Sequence, residues 1–404
     1  MLYTAYETRR ALASPLVAFA GAQADALRWL PAPFADARPV RAVRAVAEMV
    51  HALEVTHERP AFGIESAPVD GQSLPVVEQA VASTPFATLQ RFVKRGAPPQ
   101  PQVLVVPGLA GHFGTLVRGT VRTLLPDHDV YVADWRNARD VPLAAGRFGL
   151  DEYIEHLIGF LRAIGPGAHV MAVCQACVPV LAAAAIMAED ADPAQPQSMI
   201  LLAGPVDTRI NPGPVNEFAG RVSPTVLDRT AIQTVPWPHR GAGRRVYPGF
   251  IQVMAFMSLN PRRHLDSFAG LLRDVAQGED HAAERTKTFY DEYLAVLDLP
   301  AEFYLDTVKA AFTEHHLPRG RMSWRGRPVR PAAIETALFT IEGASDEICP
   351  PGQTQAAHAL CTGIPAERRR EHLQAGVGHY GVFSGSRFER QIYPLIRDFI
   401  AEVS

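Results

Sequence analysis

The chain has 404 residues, 48% of them hydrophobic and 20% charged, and its Asp and Glu outnumber Lys and Arg by 42 to 39. These proportions are typical of globular proteins and the length allows about two or three domains, which excludes a disordered chain, a coiled coil and a collagen-like protein. The near-neutral charge excludes the strongly basic surface of a dedicated nucleic-acid-binding protein, and four scattered cysteines indicate a reducing compartment rather than a disulfide scaffold.

The N-terminal segment predicts helices and no secretory signal. Charges among the first ten residues interrupt the apolar core that a signal peptide needs, so we expect a cytoplasmic protein. Ser14 and Pro15 are typical of a helix start, and Pro31 ends that helix. A second helix begins near Pro39 and has an apolar stripe of Val40, Val43, Val46, Ala47, Val50 and Leu53. We interpret residues 1–60 as a helical extension packed on the core, with a surface that docks on an apolar particle as the alternative.

From about residue 85, short β-branched runs alternate with helical stretches. This alternation predicts a mostly parallel central sheet with helices on both faces, and the nearly all-apolar strands fit burial on both sides. The strand candidates are residues 103–106, 130–133, 170–173, 199–203, 338–341 and 371–373. The helix candidates are residues 115–125, 151–164, 177–189, 354–360 and 387–403.

One uncharged run of 19 residues, 170–188, is long enough to span a bilayer. It consists mostly of Ala and Val and contains Cys174, Cys177 and Pro179. We therefore interpret it as a buried strand followed by a buried helix rather than as a membrane span.

The alternation of strands and helices breaks between residues 207 and 336. These 130 residues are rich in Pro, Arg, His and aromatic side chains, and a loop of that length without structure is uncommon in a compact domain. We therefore predict a helical cap, or lid, inserted into the core. The predicted domains are the extension at 1–60, the two parts of the core at 61–206 and 337–404, and the cap at 207–336.

The strongest local motif is Ala172-Val173-Cys174-Gln175-Ala176, where a strand ends and a helix begins at once. Small residues on both sides of a nucleophile let the sharp turn of a nucleophile elbow pack closely, and Ala stands here where Gly is usual. The N-terminus of the following helix favours a thiolate at this place. A plain buried cysteine at the end of a strand is the alternative.

An acid and a histidine follow in the order that an α/β hydrolase requires, which is nucleophile, acid, histidine. Asp346 follows a predicted strand, at the edge of the sheet where open α/β proteins build their sites. His379 lies in a glycine-rich loop after the next strand. The sequence predicts a triad of Cys174, Asp346 and His379, with Asp207 as the second candidate for the acid. Ordinary turn and loop roles are the alternatives for Asp346 and His379.

The loop after the first parallel strand (PGLAGH, 107–112) has the position of an oxyanion loop. In this fold one backbone N–H comes from that loop and the other from the residue after the nucleophile. We predict the backbone N–H groups of Leu109 and Gln175 as the two donors. His112 either faces the substrate or only orders the loop.

Cys174 and Cys177 also have the spacing of a redox pair. Thioredoxin-type chemistry occurs in a much smaller unit, and zinc needs two further ligands, whereas Cys349 and Cys361 lie on distant segments. We therefore predict neither a metal nor an organic cofactor.

Seven segments give the chain a resemblance to the intracellular poly(3-hydroxybutyrate) depolymerases, which belong to the α/β-hydrolase superfamily. The resemblance covers essentially the whole chain, and the Cys-Gln dipeptide of the elbow and the aromatic-rich cap are its more specific parts. The segments are residues 104–121, 131–143, 172–179, 247–264, 289–308, 341–354 and 376–388.

The resemblance implies an α/β-hydrolase fold in which Cys174 is the nucleophile, Asp346 the acid and His379 the base. It implies hydrolysis of the ester bonds of a storage polyester to short 3-hydroxybutyrate oligomers or monomers, through a thioester. It also implies a cytoplasmic protein at the surface of polyhydroxybutyrate granules.

Residues 135–137 (Trp-Arg-Asn) also resemble the polyhydroxyalkanoate synthases, which usually carry glycines around the nucleophile. A synthase-like acyltransferase is therefore one alternative, beside a general esterase or thioesterase and a non-catalytic granule-binding protein. Aromatic and Met side chains of the cap are predicted either to line an apolar channel for the polymer or to form the core of the cap itself: Trp237, Tyr247, Phe250, Phe256 and Met257.

Overall fold

The computed structural model describes residues 2–259 and 261–404, which contain fourteen strands. They are β1 (Ser66–Val69), β2 (Gln72–Ser83), β3 (Ala87–Lys94), β4 (Gln102–Val106), β5 (Asp129–Trp135), β6 (His169–Val173), β7 (Ser198–Leu202), β8 (Gln233–Thr234), β9 (Arg245–Tyr247), β10 (Leu299–Pro300), β11 (Ser323–Trp324), β12 (Arg327–Pro328), β13 (Ala337–Gly343) and β14 (Arg369–Gln374).

In the part of the chain that is described, nine strands form one central sheet in the order β1-β2-β3-β5-β4-β6-β7-β13-β14. The pairs from β1 to β5 are antiparallel, and those from β5 to β14 are parallel. Parallel neighbours end at the same edge of the sheet, so the loops after β4, β6, β13 and β14 all emerge at that edge. The six strands predicted from the sequence are confirmed, as is the mostly parallel sheet of an α/β-hydrolase fold.

The helices are α1 (Leu2–Arg28), α2 (Arg38–Ala52), α3 (Arg118–Leu124), α4 (Leu150–Ile164), α5 (Cys177–Glu189), α6 (Pro214–Arg221), α7 (Pro224–Thr230), α8 (Gly249–Leu259), α9 (Pro261–Gln277), α10 (Asp280–Tyr293), α11 (Ala301–Thr307), α12 (Ala357–Leu360) and α13 (Tyr393–Val403). Short π-helical turns follow α11 at Val308–Thr313 and precede α13 at Phe388–Ile392.

Helices cover both faces of the central sheet. Successive side chains of a strand point to opposite faces, so Leu104 and Val106 of β4 join one core cluster while Val103 and Val105 join the other. The first cluster includes the buried faces of α4 and α5, and the second includes those of α3 and α13. Strands buried in this way on both sides explain why the sequence of the parallel strands is almost purely apolar.

Helices α6 to α11 and the short strands β8 to β12 lie between β7 and β13 in the chain. Strands β7 and β13 are nevertheless parallel neighbours in the sheet, with Leu201 opposite Thr340. The intervening residues therefore do not interrupt the central sheet. The domain boundaries given above stay predictions.

Strands β1 to β3 were not predicted from the sequence. Most side chains of β2 are exposed, so the strand lacks the apolar alternation that marks a half-buried strand. A break in the register between Ala80 and Ala82 interrupts the pattern further.

The expected helix start at Ser14 and Pro15 is wrong, because α1 runs without interruption from Leu2 to Arg28 with Pro15 inside it. Proline cannot donate to the carbonyl four residues earlier, which here is that of Ala11. Residues 11–16 are all exposed, so water can solvate the carbonyl that is left without its helical partner.

The uncharged run at 170–188 forms β6 and α5, as predicted, and nearly all of α5 is buried. Within residues 2–259 and 261–404, no helix is both long enough and apolar enough to cross a bilayer.

Candidate active site

Cys174 lies in a sharp turn between β6 and α5. Its φ of +56° falls in the left-handed region, which is costly for a residue with a side chain and is typical of strained functional turns. A single 3-10 turn, Cys174–Ala176, leads directly into α5. Ala172 and Ala176 are both fully buried, so the small residues predicted from the sequence are needed by the packing.

Two glycines allow neighbouring loops to approach this turn closely. A Cβ on Gly204, just after β7, would lie 2.3 Å from both Cβ and Sγ of Cys177 in the first turn of α5. A Cβ on Gly108, just after β4, would lie 3.3 Å from the carbonyl oxygen of Val173. The turn at Cys174 is thus held between the ends of the two strands that flank β6.

Asp346 and His379 meet at the same edge of the sheet, in the loops after β13 and β14. The His379 ring donates from Nδ1 to Oδ2 of Asp346 at 2.8 Å. The other carboxylate oxygen, Oδ1, accepts the backbone N–H groups of Ile348 at 2.9 Å and Cys349 at 2.8 Å. Both Asp346 and His379 are buried, so these bonds fix the carboxylate and, through it, the ring.

Cys174 lies close enough to the His379 ring to act on its charge. Burial disfavours the charged imidazolium, but the charges and hydrogen bonds of Cys174 and Asp346 outweigh it and raise the pKa of His379 well above its ordinary value. The three predicted triad residues therefore lie together, and the ring is well suited to hold a proton between sulfur and carboxylate.

The predicted oxyanion loop lies against the turn at Cys174. The backbone N–H of Leu109 donates a hydrogen bond to Oε1 of the Gln175 side chain at 3.1 Å. The Nε2 group of Gln175 donates to Oγ1 of Thr307, at the end of α11, at 3.5 Å. Sequence reasoning identified the Gln175 backbone but missed this role of its side chain, because the partners are distant in the chain.

His112 connects the same loop to α10 and its following segment. Its Nε2 lies 3.2 Å from the carbonyl oxygen of Tyr293, and its backbone bridges that of Val296. Its ring stacks on Phe256 with centroids 5.9 Å apart. Burial lowers the pKa of His112 to about 4, so the ring is neutral near pH 7. These contacts fit the ordering of the loop.

Asp207, the second candidate for the acid, makes different contacts. Both of its carboxylate oxygens accept the guanidinium group of Arg209, at 2.8 and 2.7 Å. Burial acts against this ionised form, but the hydrogen bonds and charge of Arg209 lower the pKa of Asp207 below its usual range. The carboxylate that contacts the histidine is that of Asp346.

The other cysteines are free thiols buried in the core. Cys177 donates weakly to the carbonyl oxygens of Ala172 and Leu202, and burial raises its pKa well above the ordinary value. Burial has the same effect on Cys349 and Cys361, whereas Cys174 is partly exposed. Among the described residues, no group of three or more His, Cys, Asp or Glu side chains is arranged to hold a metal ion.

Trp237, Tyr247 and Phe250 were predicted from the sequence either to line a channel or to form the core of the cap. Trp237 is 86% exposed. Tyr247 is buried and stacks on Tyr304 with centroids 4.0 Å apart, and Phe250 is buried and stacks on Tyr6 of α1 at 3.8 Å. For Tyr247 and Phe250 these contacts are those of a packed core.

A small cavity of about 30 Å³ opens beside the triad instead. Its lining includes Glu347 and Ile348, which follow Asp346 in the chain, and Tyr380, which follows His379. The remaining lining residues come from α8 to α10 and are Phe256, Arg263, His264, Phe289 and Tyr293. Of these, only Phe256 was expected from the sequence. A larger cavity of about 260 Å³, near His51 and Asp291, contains no triad residue.

Three solved structures with a similar chain path are distant from this chain in sequence. An α/β hydrolase, GrgF, from Penicillium sp. sh18 shares 13% identity with a TM-score of 0.46, over 81% of this chain and 99% of that one. An α/β-hydrolase-fold protein from Nakamurella multipartita shares 17% identity with a TM-score of 0.44, over 81% and 98% of the two chains. A bacterial membrane phospholipase A shares 13% identity with a TM-score of 0.44, over 81% and 86%. No curated protein matches the chain.

A sequence model of one protein family matches residues 203–404, which is half of the chain. The family is described as PHB de-polymerase C-terminus. The match contains Asp346 and His379 and begins after Cys174. The chain therefore belongs to this PHB depolymerase family, and it is an ester-hydrolysing enzyme.

Proposed function

We propose that the protein is an intracellular poly(3-hydroxybutyrate) depolymerase with a Cys174, His379, Asp346 triad. The observation that carries the proposal is the buried His379, which is hydrogen-bonded to Asp346 and lies close to the strained Cys174. Family membership supports a polyester substrate. Residues 207–336 would form the cap over this site, between the two parts of the core.

The proposed reaction is acyl transfer through a thioester. His379 takes the proton of the Cys174 thiol, and the sulfur attacks the ester carbonyl carbon. Asp346 holds the ring in the correct tautomer and stabilises the imidazolium. When the tetrahedral intermediate collapses, the alcohol end of the polymer leaves with the proton from His379. Water, deprotonated by His379, then attacks the thioester, which releases the acid and restores the thiol.

The oxyanion is proposed to bind between the backbone N–H groups of Gln175 and Leu109, each worth about 3 kcal/mol in the transition state. Because the Gln175 side chain accepts the Leu109 N–H, a substrate oxygen that binds to this N–H must replace Oε1 of Gln175. The weak contact with Thr307 is compatible with such a movement, since a 3.5 Å bond is easily broken.

The cavity beside the triad is the proposed entry for the polymer. At about 30 Å³ it holds about one water molecule, so in this proposal it widens when a polyester segment binds. Its aromatic lining residues suit an apolar polyester segment, and Tyr380 is adjacent in sequence to His379. In this proposal Phe256, Tyr293 and Tyr380 contact the substrate, whereas Trp237, Tyr247 and Phe250 do not. His112 acts through Phe256 and Tyr293 rather than on the substrate itself.

A cytoplasmic location at polyhydroxybutyrate granules belongs to the same proposal. The four cysteines are free, and Cys174 must stay reduced in order to act as a nucleophile. No cofactor is needed for the proposed reaction, since the chain itself supplies nucleophile, base and oxyanion donors.

The function is tested by mixing the purified protein with amorphous poly(3-hydroxybutyrate) particles and measuring soluble hydroxyacid. We expect release by the wild type and none above background by Cys174→Ala. A parallel assay with 3-hydroxybutyryl thioester measures polymer formation. Polymer formation without polyester hydrolysis would identify a synthase-like acyltransferase, and hydrolysis of small esters alone would identify a general esterase; either result contradicts the proposal.

A further inference from the structure

The helices α1 and α2 expose an unusual number of large apolar side chains. Of the 21 that are exposed among the described residues, 11 lie between residues 2 and 53. They are Leu2, Leu12, Leu16, Phe19, Trp29, Leu30, Phe34, Val43, Val46, Val50 and Leu53. Single exposed apolar residues are common on protein surfaces, but a concentration of this kind marks an interaction site.

On α1 these side chains form a stripe along the outer face of the helix. Leu12 is 75% exposed, Leu16 71% and Phe19 67%, and their spacing of four and three places them on one side. Continued towards the C-terminus at the same spacing, the stripe passes through Gln23 and Ala26, so no charged residue interrupts it from Leu12 to Ala26. Arg9 lies on the same side, one turn before Leu12, and so marks the N-terminal limit of the uncharged stripe. The other charged residues of α1 point elsewhere: Glu7, Arg10, Asp25 and Arg28.

The outer face of α2 has the same character. Val43, Val46 and Val50 are all exposed and recur at intervals of three and four residues. Helix α9 gives the opposite pattern, because Arg262, Asp266 and Arg273 lie among its exposed residues. A charged outer face is the usual arrangement for a helix that meets only water. The partner of α1 and α2 is therefore expected to carry no charge.

The two helices are firmly attached, so the stripe belongs to the folded molecule. Tyr3 donates to the fully buried Asp298 at 2.5 Å, and Ala20 and Ala24 of α1 pack on Ala47 of α2. Arg28 pairs with Glu48 at 2.9 Å. These contacts use the inner faces and leave the apolar outer faces without a partner in the monomer.

We propose that the outer faces of α1 and α2 dock the enzyme on the surface of the solid polyester. The polymer is apolar and has no charged groups, which matches the uncharged stripe, and a helix of 27 residues offers a ridge about 40 Å long. A ridge suits a broad surface, whereas a peptide or a small ligand requires a groove. This inference rests on the proposed function, because it takes a water-insoluble polyester as the substrate.

The test compares binding to amorphous poly(3-hydroxybutyrate) particles by sedimentation, in a Cys174→Ala background so that the particles stay intact. The variant L12E/L16E/F19E is expected to lower the partition coefficient about 100-fold, since three large apolar contacts are lost. The uncharged variant L12Q/L16Q/F19Q should lose nearly as much binding to the particles. That result would show that charge repulsion is not the cause of the weaker binding. L265E on α9 is the matched control, because Leu265 is also 67% exposed, and it should bind as the parent does.

The same three sets of substitutions are also made in the protein that keeps Cys174. There the rate of hydrolysis of a soluble ester should stay within about twofold of the wild-type rate, because the stripe lies away from the triad. Equal binding by the triple variants and the parent would overturn the inference. A wild-type dimer that L12E/L16E/F19E converts to monomers would also overturn it, since the stripe would then join two copies of the chain. Binding to neutral phosphatidylcholine vesicles without binding to polyester would overturn it as well. Failure of the proposed function would appear separately, as a wild type that binds the particles but releases no hydroxyacid.

Discussion

Replacement of His379 by glutamine is expected to lower kcat/KM for polyester and for soluble esters by roughly 100,000-fold, as the loss of a general base in a catalytic triad does. The ring is hydrogen-bonded to Asp346 and lies close to Cys174. Glutamine can occupy the space, but it cannot take a proton from the thiol. Steady-state kinetics with a soluble ester, together with the urea midpoint of the variant, separates lost chemistry from lost folding.

Asp346→Asn should lower kcat/KM by roughly 10,000-fold for a related reason. The asparagine oxygen can still accept the N–H groups of Ile348 and Cys349, while its amide group would donate to Nδ1 of His379. The ring would then carry its proton on Nε2 and could not accept one from sulfur. Asp207→Asn is the matched control and should keep activity within several-fold of wild type, because Asp207 pairs with Arg209. The reverse outcome would show that the acid has been assigned to the wrong residue.

Gln175→Glu is expected to lower kcat/KM by roughly 100-fold to 1,000-fold, which is the effect of losing one oxyanion donor. The carboxylate would accept the Leu109 N–H more strongly than the amide does, because a charged acceptor makes a stronger hydrogen bond. It would also repel the negative charge that develops on the substrate oxygen. The backbone N–H of residue 175 is unchanged, so the measured loss refers to the side chain.

Gln175→Met is the companion variant, since methionine has a similar length and no oxygen acceptor. It should keep activity within several-fold of wild type, because the Leu109 N–H would be open to the substrate. If the Met and Glu variants lost activity equally, the side chain would be needed to hold the loop in place. If neither lost activity, Leu109 would not be an oxyanion donor.

The meeting of Cys174, Asp346 and His379 could be predicted from the sequence because each of their signals is local. The turn at Cys174 needs small neighbours, and Asp346 and His379 each follow a strand whose apolar run is easy to recognise. The order of strands then brings the three loops to one edge of the sheet. The same reasoning could not choose between Asp346 and Asp207, since both follow strands, and only the contacts with His379 and Arg209 separate them.

The proposed substrate contacts could not be predicted from the sequence in the same way. Aromatic residues in a helical segment fit a channel and a packed core equally well, and the stacking of Phe250 on Tyr6 depends on where α1 lies. The start of α1 was itself misplaced, because Pro15 resembles a helix start although its exposed position tolerates the lost hydrogen bond. The link from Leu109 to Gln175 joins residues 66 positions apart and has no sequence signal.

The most direct test of the Cys174 mechanism is to trap the acyl-enzyme. The enzyme is mixed with a soluble 3-hydroxybutyrate oligomer and the reaction is stopped with acid. The protein is then digested, and the masses of its peptides are measured by mass spectrometry. We expect the peptide that contains Cys174 to gain the mass of one acyl group derived from the substrate. Neutral hydroxylamine should remove this group, as it cleaves a thioester, and Cys174→Ala should show neither the adduct nor turnover. An acyl group on any other residue, or full turnover by Cys174→Ala, would contradict the Cys174 mechanism.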